Sequence, residues 1–276
     1  TADGAARSQA RVFSQARTPA LGRMSIGGGD PNGPEAMARV RSLALQLDTD
    51  DGQQWRLAMN SFPFFAVSTP QAFAEQILAS RPDPATGKPD PAKQQAFAQR
   101  HPEIANFMAW AQSAPWSSSY ANTAYNGVHA FRFTNAAGEA RYVRWSFVPQ
   151  TPFEDFPAGQ RQAAEASYLA DELAARLARG PVRWTLAVTL AEAGDPIENP
   201  SQPWPEERPR VAAGTFVLER AYAEADGDCR DINFDPTILP DGIAASGDPV
   251  LAARAAAYAV SFNRRQRERA AAREAQ

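Results

Sequence analysis

The sequence predicts an α+β fold in which antiparallel strands curl into a closed β-barrel, with helices around it and a long C-terminal helix. Strand-like segments with alternating hydrophobicity follow one another through hairpin-type turns. Helices do not alternate regularly with these strands, as a parallel sheet would require. Several long strands without parallel crossovers favour a closed or strongly curled sheet. We expect one domain spanning residues 1–276.

Composition excludes several classes of protein. The formal net charge of the 276-residue chain is -3, which favours neither a nucleic-acid nor an acidic-membrane partner. The single cysteine, Cys229, excludes an intrachain disulfide and leaves the cellular compartment open. No apolar run reaches the length of about 18 residues that a membrane span needs.

The N-terminal half predicts a short helix, a strand, a hairpin and three further helices. Asp50-Asp51-Gly52 marks the hairpin turn. Thr69 is a plausible N-cap, and Pro70 suits the first helical position after it. The predicted segments are a helix at 5–13, strands at 21–26, 42–47 and 55–60, and helices at 70–79, 92–100 and 102–113.

The C-terminal half predicts further strands and two helices. In the segment 140–148, Val143, Trp145 and Phe147 face one way and the residues between them face the other. Further along the chain, Gly180-Pro181 ends the predicted helix at 163–179. The predicted segments are strands at 127–134, 140–148, 182–190 and 213–220, helices at 163–179 and 249–269, and a loop at 229–249.

Arg254 and Tyr258 are four residues apart in the last predicted helix, so they share one helix face. A guanidinium beside a phenol can hold it as phenolate, and tyrosinate is one of the few protein ligands of haem iron. Taken alone, these two residues fit an ordinary amphipathic helix with one buried tyrosine better.

Several sequence blocks in a fixed order change that interpretation. They are Gly22-Arg23-Met24-Ser25, the segment Met59–Phe65, the segment Tyr125–Phe131, and Phe234–Ile243 followed by Arg254 and Tyr258. With these blocks the chain resembles the haem catalases, and most closely the small catalase-related peroxidases. The resemblance covers nearly the whole chain and implies a catalase-like barrel that binds haem b.

The resemblance also implies a proximal set of residues. Tyr258 is expected to be the iron ligand, with Arg254 paired to its phenolate. Arg23 and Arg265 are expected to bind the haem propionates, because guanidinium groups match carboxylates bidentately. Arg264 competes with Arg265 for this role, and the sequence does not separate the two.

On the distal side, Asn60 is expected to donate a hydrogen bond to bound peroxide and Ser25 to orient the distal base. In the family that base is a histidine ahead of the Arg23 block, whereas His101 and His129 both follow it. We expect His101 at the start of a surface helix and His129 as a hydrogen-bonded barrel residue. The segment carrying the distal histidine is therefore expected to be absent here, and the fragment to react slowly with peroxide.

The function implied by the resemblance is a haem peroxidase that reduces hydrogen peroxide or organic hydroperoxides with a small organic electron donor, with weak catalase activity. Two alternatives stay open. One is an isomerase or lyase that acts on fatty-acid hydroperoxides without a reductant. The other is a non-enzymatic barrel that binds haem or lipid. The absence of an extra C-terminal domain suggests a monomer or homodimer.

Overall fold

The computed structural model describes residues 1–27, 33–223 and 227–274. The strands, numbered in chain order, are β1 (Ala20–Ile26), β2 (Arg41–Asp48), β3 (Gln54–Asn60), β4 (Tyr125–Asn126), β5 (Phe131–Thr134), β6 (Ala140–Pro149), β7 (Val182–Leu190), β8 (Arg210–Leu218) and β9 (Ile243–Ala245). The α-helices are α1 (Ala2–Arg7), α2 (Pro70–Ala79), α3 (Pro91–Arg100), α4 (Ile104–Ser113), α5 (Ala158–Ala163), α6 (Tyr168–Leu177) and α7 (Pro249–Glu274). None of the helices in these ranges combines the length and apolarity needed to cross a membrane.

All the strands belong to one antiparallel sheet. The order β1-β2-β3-β4-β6-β5-β9 forms its main path, and β7 pairs with β6 and with β8. The predicted β2–β3 hairpin is confirmed, with Ser42 opposite Asn60 at one end and Asp48 opposite Gln54 at the turn. The α+β class is likewise confirmed.

The predicted closure into a barrel is wrong, because the sheet stays open. In the described part of the chain, β8 pairs only with β7, and β1 pairs only with β2. Helix α1 lies along β8, where the Thr1 hydroxyl donates to the carbonyl oxygen of Ala212 (2.8 Å) and the Thr1 ammonium to that of Ala213 (3.3 Å). This helix covers the edge that a closing strand would need.

The hydrophobic core lies against one face of the sheet. Trp55, Trp184 and Tyr125 are among its largest fully buried side chains. The predicted alternation in β6 is confirmed, since Val143, Trp145 and Phe147 are all buried in this core. The opposite face of β1–β3 carries small and polar side chains, and this face is where the candidate site forms.

Local geometry changes three predicted elements. The predicted helix at 5–13 is instead α1 and a separate 3-10 turn at Arg11–Phe13, because Ser8 is extended. The helix predicted at 163–179 starts later, at Tyr168 as α6, because Ala164 is extended and ends the separate helix α5 before it. The short strand β9 lies in a region predicted to be a loop.

The strand predicted at 127–134 is also shortened. Only its second half forms a strand, β5, while β4 ends just before residue 127, and Val128 between β4 and β5 has a φ of 56°. That conformation is unusual for a β-branched residue and costs on the order of 1–3 kcal/mol. The strained turn directly precedes His129, which belongs to the candidate site.

Candidate active site

A row of polar side chains crosses five neighbouring strands at the same level of the sheet. Its members oppose one another in register and are half-buried, and they are Ser25, Ser42, Asn60, Asn126 and Ser146. We call this set the polar row. Two of the predicted distal residues, Ser25 and Asn60, lie in it on either side of Ser42.

Hydrogen bonds within the polar row fix the orientation of Asn60. The hydroxyl of Ser42 donates to Oδ1 of Asn60 (2.7 Å), and the amide of Asn126 donates weakly to the Asn60 carbonyl oxygen (3.4 Å). The Asn126 amide is itself held by the hydroxyl of Ser146 (2.7 Å). The side-chain oxygen of Asn60 thus accepts from Ser42, which leaves Nδ2 as the donor on the other side of the amide. Within the described ranges, this Nδ2 has no acceptor.

Helix α7 begins at a buried carboxylate. Oδ1 of Asp248 accepts hydrogen bonds from the backbone N–H groups of Val250 (2.8 Å) and Leu251 (3.3 Å), so Asp248 caps the helix. Its other oxygen, Oδ2, accepts from Nδ1 of His129 at 2.6 Å. Asp248 thus ties the start of α7 to the turn between β4 and β5.

The His129 ring is fully buried and neutral at pH 7. Burial, and to a smaller extent the positive charge of Arg254, lowers the pKa of His129 to about 4, although the hydrogen bond to Asp248 opposes this. A contact of 2.6 Å between His129 and Asp248 is close enough for an ion pair. The low pKa instead indicates a neutral imidazole that donates its Nδ1–H to the Asp248 carboxylate.

Arg254 and Tyr258 are in contact, as their spacing predicts. Nη2 of Arg254 donates to the phenol oxygen of Tyr258 at 2.9 Å. The same nitrogen donates to the carbonyl oxygen of Ala58 at 3.3 Å. Since Ala58 lies two residues before Asn60 on β3, this bond anchors α7 next to the polar row.

The two arginines predicted to bind propionates both lie near the loop segment 232–234. Nη2 of Arg265 donates to the carbonyl oxygen of Ile232 (3.2 Å), and the guanidinium of Arg23 lies 5.9 Å from the ring centre of Phe234. Each has a buried Nε without a hydrogen-bond partner. Arg264 instead points to solvent and pairs with Glu268 at 2.9 Å.

The other histidine lies away from this group. His101 follows the last residue of α3 rather than starting a helix, and its Nε2 lies 3.1 Å from the carboxylate of Glu75. Its ring also contacts that of Phe97 in a tilted arrangement, with ring centres 4.7 Å apart. His101 therefore belongs to the contact between α2 and α3, away from the polar row.

Comparison with protein families decides the classification. The family model described as Catalase matches residues 1–273. The chain belongs to the catalase family. Members of this family bind haem and act on peroxide.

Relatives named catalase-related peroxidase match most of this catalase-family chain. One from Synechococcus elongatus is 39% identical over 267 residues, covering 97% of this chain and 79% of the relative. One from Mycolicibacterium paratuberculosis is 32% identical over 266 residues, covering 96% and 83% respectively. A solved fungal catalase superposes with a TM-score of 0.84 at 21% identity, covering 95% of this chain and 55% of that one.

The residues present fit the haem expected of a catalase-family member. A phenol oxygen that accepts a hydrogen bond from a guanidinium at 2.9 Å is a ligand atom of the kind that binds haem iron. Arg23 and Arg265 retain buried donors that carboxylates can satisfy. Ala44 and Ala58, opposite each other in β2 and β3, place only small side chains on this face of the sheet.

Sequence reasoning missed part of this site. The sequence carries no signal for Asp248, and it predicts for His129 only a hydrogen-bonded barrel residue. Ser42 and Asn126 were also missed, although the resemblance had placed Asn126 in a matching block. The signal that could have found Ser42 is the hairpin register, because the predicted turn places it opposite Asn60.

Proposed function

We propose that this catalase-family chain is the haem-binding core of a haem b peroxidase that reduces hydrogen peroxide or organic hydroperoxides with a small organic electron donor. The observation that carries the proposal is the 2.9 Å hydrogen bond from Arg254 to the phenol oxygen of Tyr258, on a helix anchored two residues from Asn60. The relatives named catalase-related peroxidase support the same conclusion.

On the proximal side, Tyr258 supplies the metal ligand and Arg254 stabilises negative charge on its oxygen through a charge-assisted hydrogen bond. Arg23 and Arg265 bind the two propionates. When bound, haem supplies the oxidising chemistry that a side chain cannot provide. The protein holds this ligand oxygen in one orientation through the hydrogen bond from Arg254.

On the distal side, Asn60 donates from Nδ2 to peroxide. Ser42 keeps the amide in this orientation by occupying Oδ1 at 2.7 Å. Ser25 lies opposite Ser42 on β1, with its hydroxyl available to orient a base on the same face. A correctly placed base contributes a factor of about 10²–10⁴ to such proton transfers.

An absorption spectrum tests the proximal assignment without depending on turnover. The protein is reconstituted with haem b, and wild type is compared with Tyr258→Phe. We expect a five-coordinate tyrosinate spectrum in the wild type that is lost in the variant. Tyr222→Phe, at an exposed tyrosine, is the matched control and should retain it. An unchanged spectrum in Tyr258→Phe would overturn the proposal.

Activity measurements then separate the kinds of reaction. A peroxidase oxidises a reducing dye when hydrogen peroxide is added. An isomerase or lyase consumes a fatty-acid hydroperoxide with no reductant present. Asn60→Ala should lower the rate of dye oxidation by about 10-fold or more while leaving the haem spectrum intact, because it removes one hydrogen-bond donor to peroxide.

A further inference from the structure

A cavity lies beside the polar row, at the start of β2. It has a volume of about 290 Å³ and is bounded by the end of α4, the loop that follows α4 and the rim of β6. Arg39 and Arg41 line it together with apolar rings, chiefly Trp110, Trp116 and Phe153. The volume is near the lower limit of small-molecule sites.

Positive charge is concentrated here without a balancing carboxylate. Arg39 lies 4.5 Å from the ring centre of Trp110 and 4.8 Å from that of Trp116, and Arg161 lies 4.0 Å from Trp116. None of Arg39, Arg41 and Arg161 forms a salt bridge with a carboxylate in the ranges that the structure describes. Their acceptors are carbonyl and hydroxyl oxygens, such as the carbonyl oxygens of α4 that bind Arg39.

Arg41 is the most constrained of these cations. Only 2% of its surface is exposed, and Nη1 donates to the hydroxyl of Ser117 at 2.8 Å. Its Nη2 is buried and has no hydrogen-bond partner. Burial lowers the pKa of Arg41, and the charge of Arg39 adds to the effect, so the protein holds this guanidinium against an electrostatic cost. Nη2 is therefore a buried donor that the carboxylate of a ligand can satisfy.

We propose that this cavity binds a small organic carboxylate with an apolar, planar body. Arg41 and Arg39 contact the carboxylate, and the rings of Trp110 and Phe153 pack against the body of the ligand. The cavity combines guanidinium groups with indole and phenyl walls, and this combination favours an organic carboxylate over an inorganic anion. A fully hydrated ion would make no favourable apolar contact with the aromatic walls. The proposal does not depend on haem binding or peroxide turnover.

Benzoate is the probe, measured against the haem-loaded protein by isothermal titration calorimetry. Benzamide has the same ring without the charge, and inorganic phosphate has charge without the ring. We expect saturable binding of benzoate at one site and at least about 10-fold weaker binding of the other two. A charge-assisted contact of this kind accounts for roughly a factor of 10 to 100 in affinity.

Two variants locate the site. Arg41→Gln and Arg39→Gln should each weaken benzoate binding by about 10-fold or more. Circular dichroism checks that each folds, and Arg39 is only half-buried, so its variant keeps the test valid if the Arg41 variant fails to fold. Arg11→Gln, at a surface guanidinium paired with Asp50, is the matched control and should bind as wild type.

Tyr258→Phe separates this proposal from the proposed function, since it should lose the tyrosinate spectrum and keep benzoate binding. The proposal is overturned if benzamide or phosphate binds as tightly as benzoate. It is also overturned if both folded arginine variants bind benzoate with wild-type affinity.

Discussion

Replacing Asp248 with alanine tests the connection between helix α7 and the sheet. The substitution removes two interactions of one fully buried carboxylate: the cap on Val250 and Leu251, and the acceptor for His129 at 2.6 Å. Loss of a helix cap costs about 1 kcal/mol. A buried N–H left without an acceptor costs about 1–3 kcal/mol. The free energy of unfolding should therefore fall by about 2–4 kcal/mol.

Urea unfolding followed by circular dichroism measures this loss, with the slope of the transition checked for two-state behaviour. Asp248→Asn retains an oxygen for the cap, so it should lose only the histidine contribution, about 1–3 kcal/mol. Asp241→Ala, at an exposed carboxylate, should change stability by less than about 0.5 kcal/mol. A loss below about 1 kcal/mol for Asp248→Ala, at unchanged slope, would show that the buried contacts do not stabilise α7.

Three further outcomes follow from the same geometry. The pKa of His129 is lowered to about 4 in the folded state, so the unfolded chain takes up the proton first. The free energy of unfolding should therefore fall as pH drops from about 6.5 towards 4, and acid titration of His129→Phe should lack this component. Ser42→Ala removes the hydroxyl that holds Asn60 and should lower the peroxidase rate of the haem-loaded protein without changing its haem spectrum; Ser42→Thr should restore the rate, and failure of that rescue would argue against an orienting role. Gly242→Ala combines a φ of 86° with a Cβ only 2.7 Å from a backbone nitrogen, so its melting temperature should fall well below that of Gly138→Ala, which has a φ of 81° but open space.

Local sequence signals predicted the elements that depend on near neighbours. The Asp50-Asp51-Gly52 turn and the flanking alternation were enough to place the β2–β3 hairpin. The N-cap at Thr69 was also predicted, and its hydroxyl accepts from the N–H of Ala72 at 3.1 Å. Closure of the sheet was predicted wrongly, because it depends on whether distant edges meet and on α1 lying along β8.

The candidate site likewise contains contacts that local spacing predicts and contacts that only the folded chain shows. The contact between Arg254 and Tyr258 follows from helical spacing, which brings residues four apart onto one face. The approach of Asp248 to His129, 119 residues away, has no local signal and arises only when α7 packs against the turn after β4. The different surroundings of Arg264 and Arg265 also appear only in the packed structure, where Arg265 donates to the carbonyl oxygen of Ile232 and Arg264 is exposed.

The sequence by itself determined the family, the helix that presents Tyr258, and the hairpin that presents Asn60, because each depends on spacing within a short segment. Tertiary structure alone decided that the sheet is open, that Asp248 meets His129, and that Arg39 and Arg41 line a separate cavity. These features depend on which distant segments meet in the folded chain. Burial then strengthens the contribution of each contact to stability, because it removes the water that would otherwise hydrogen-bond to the polar groups.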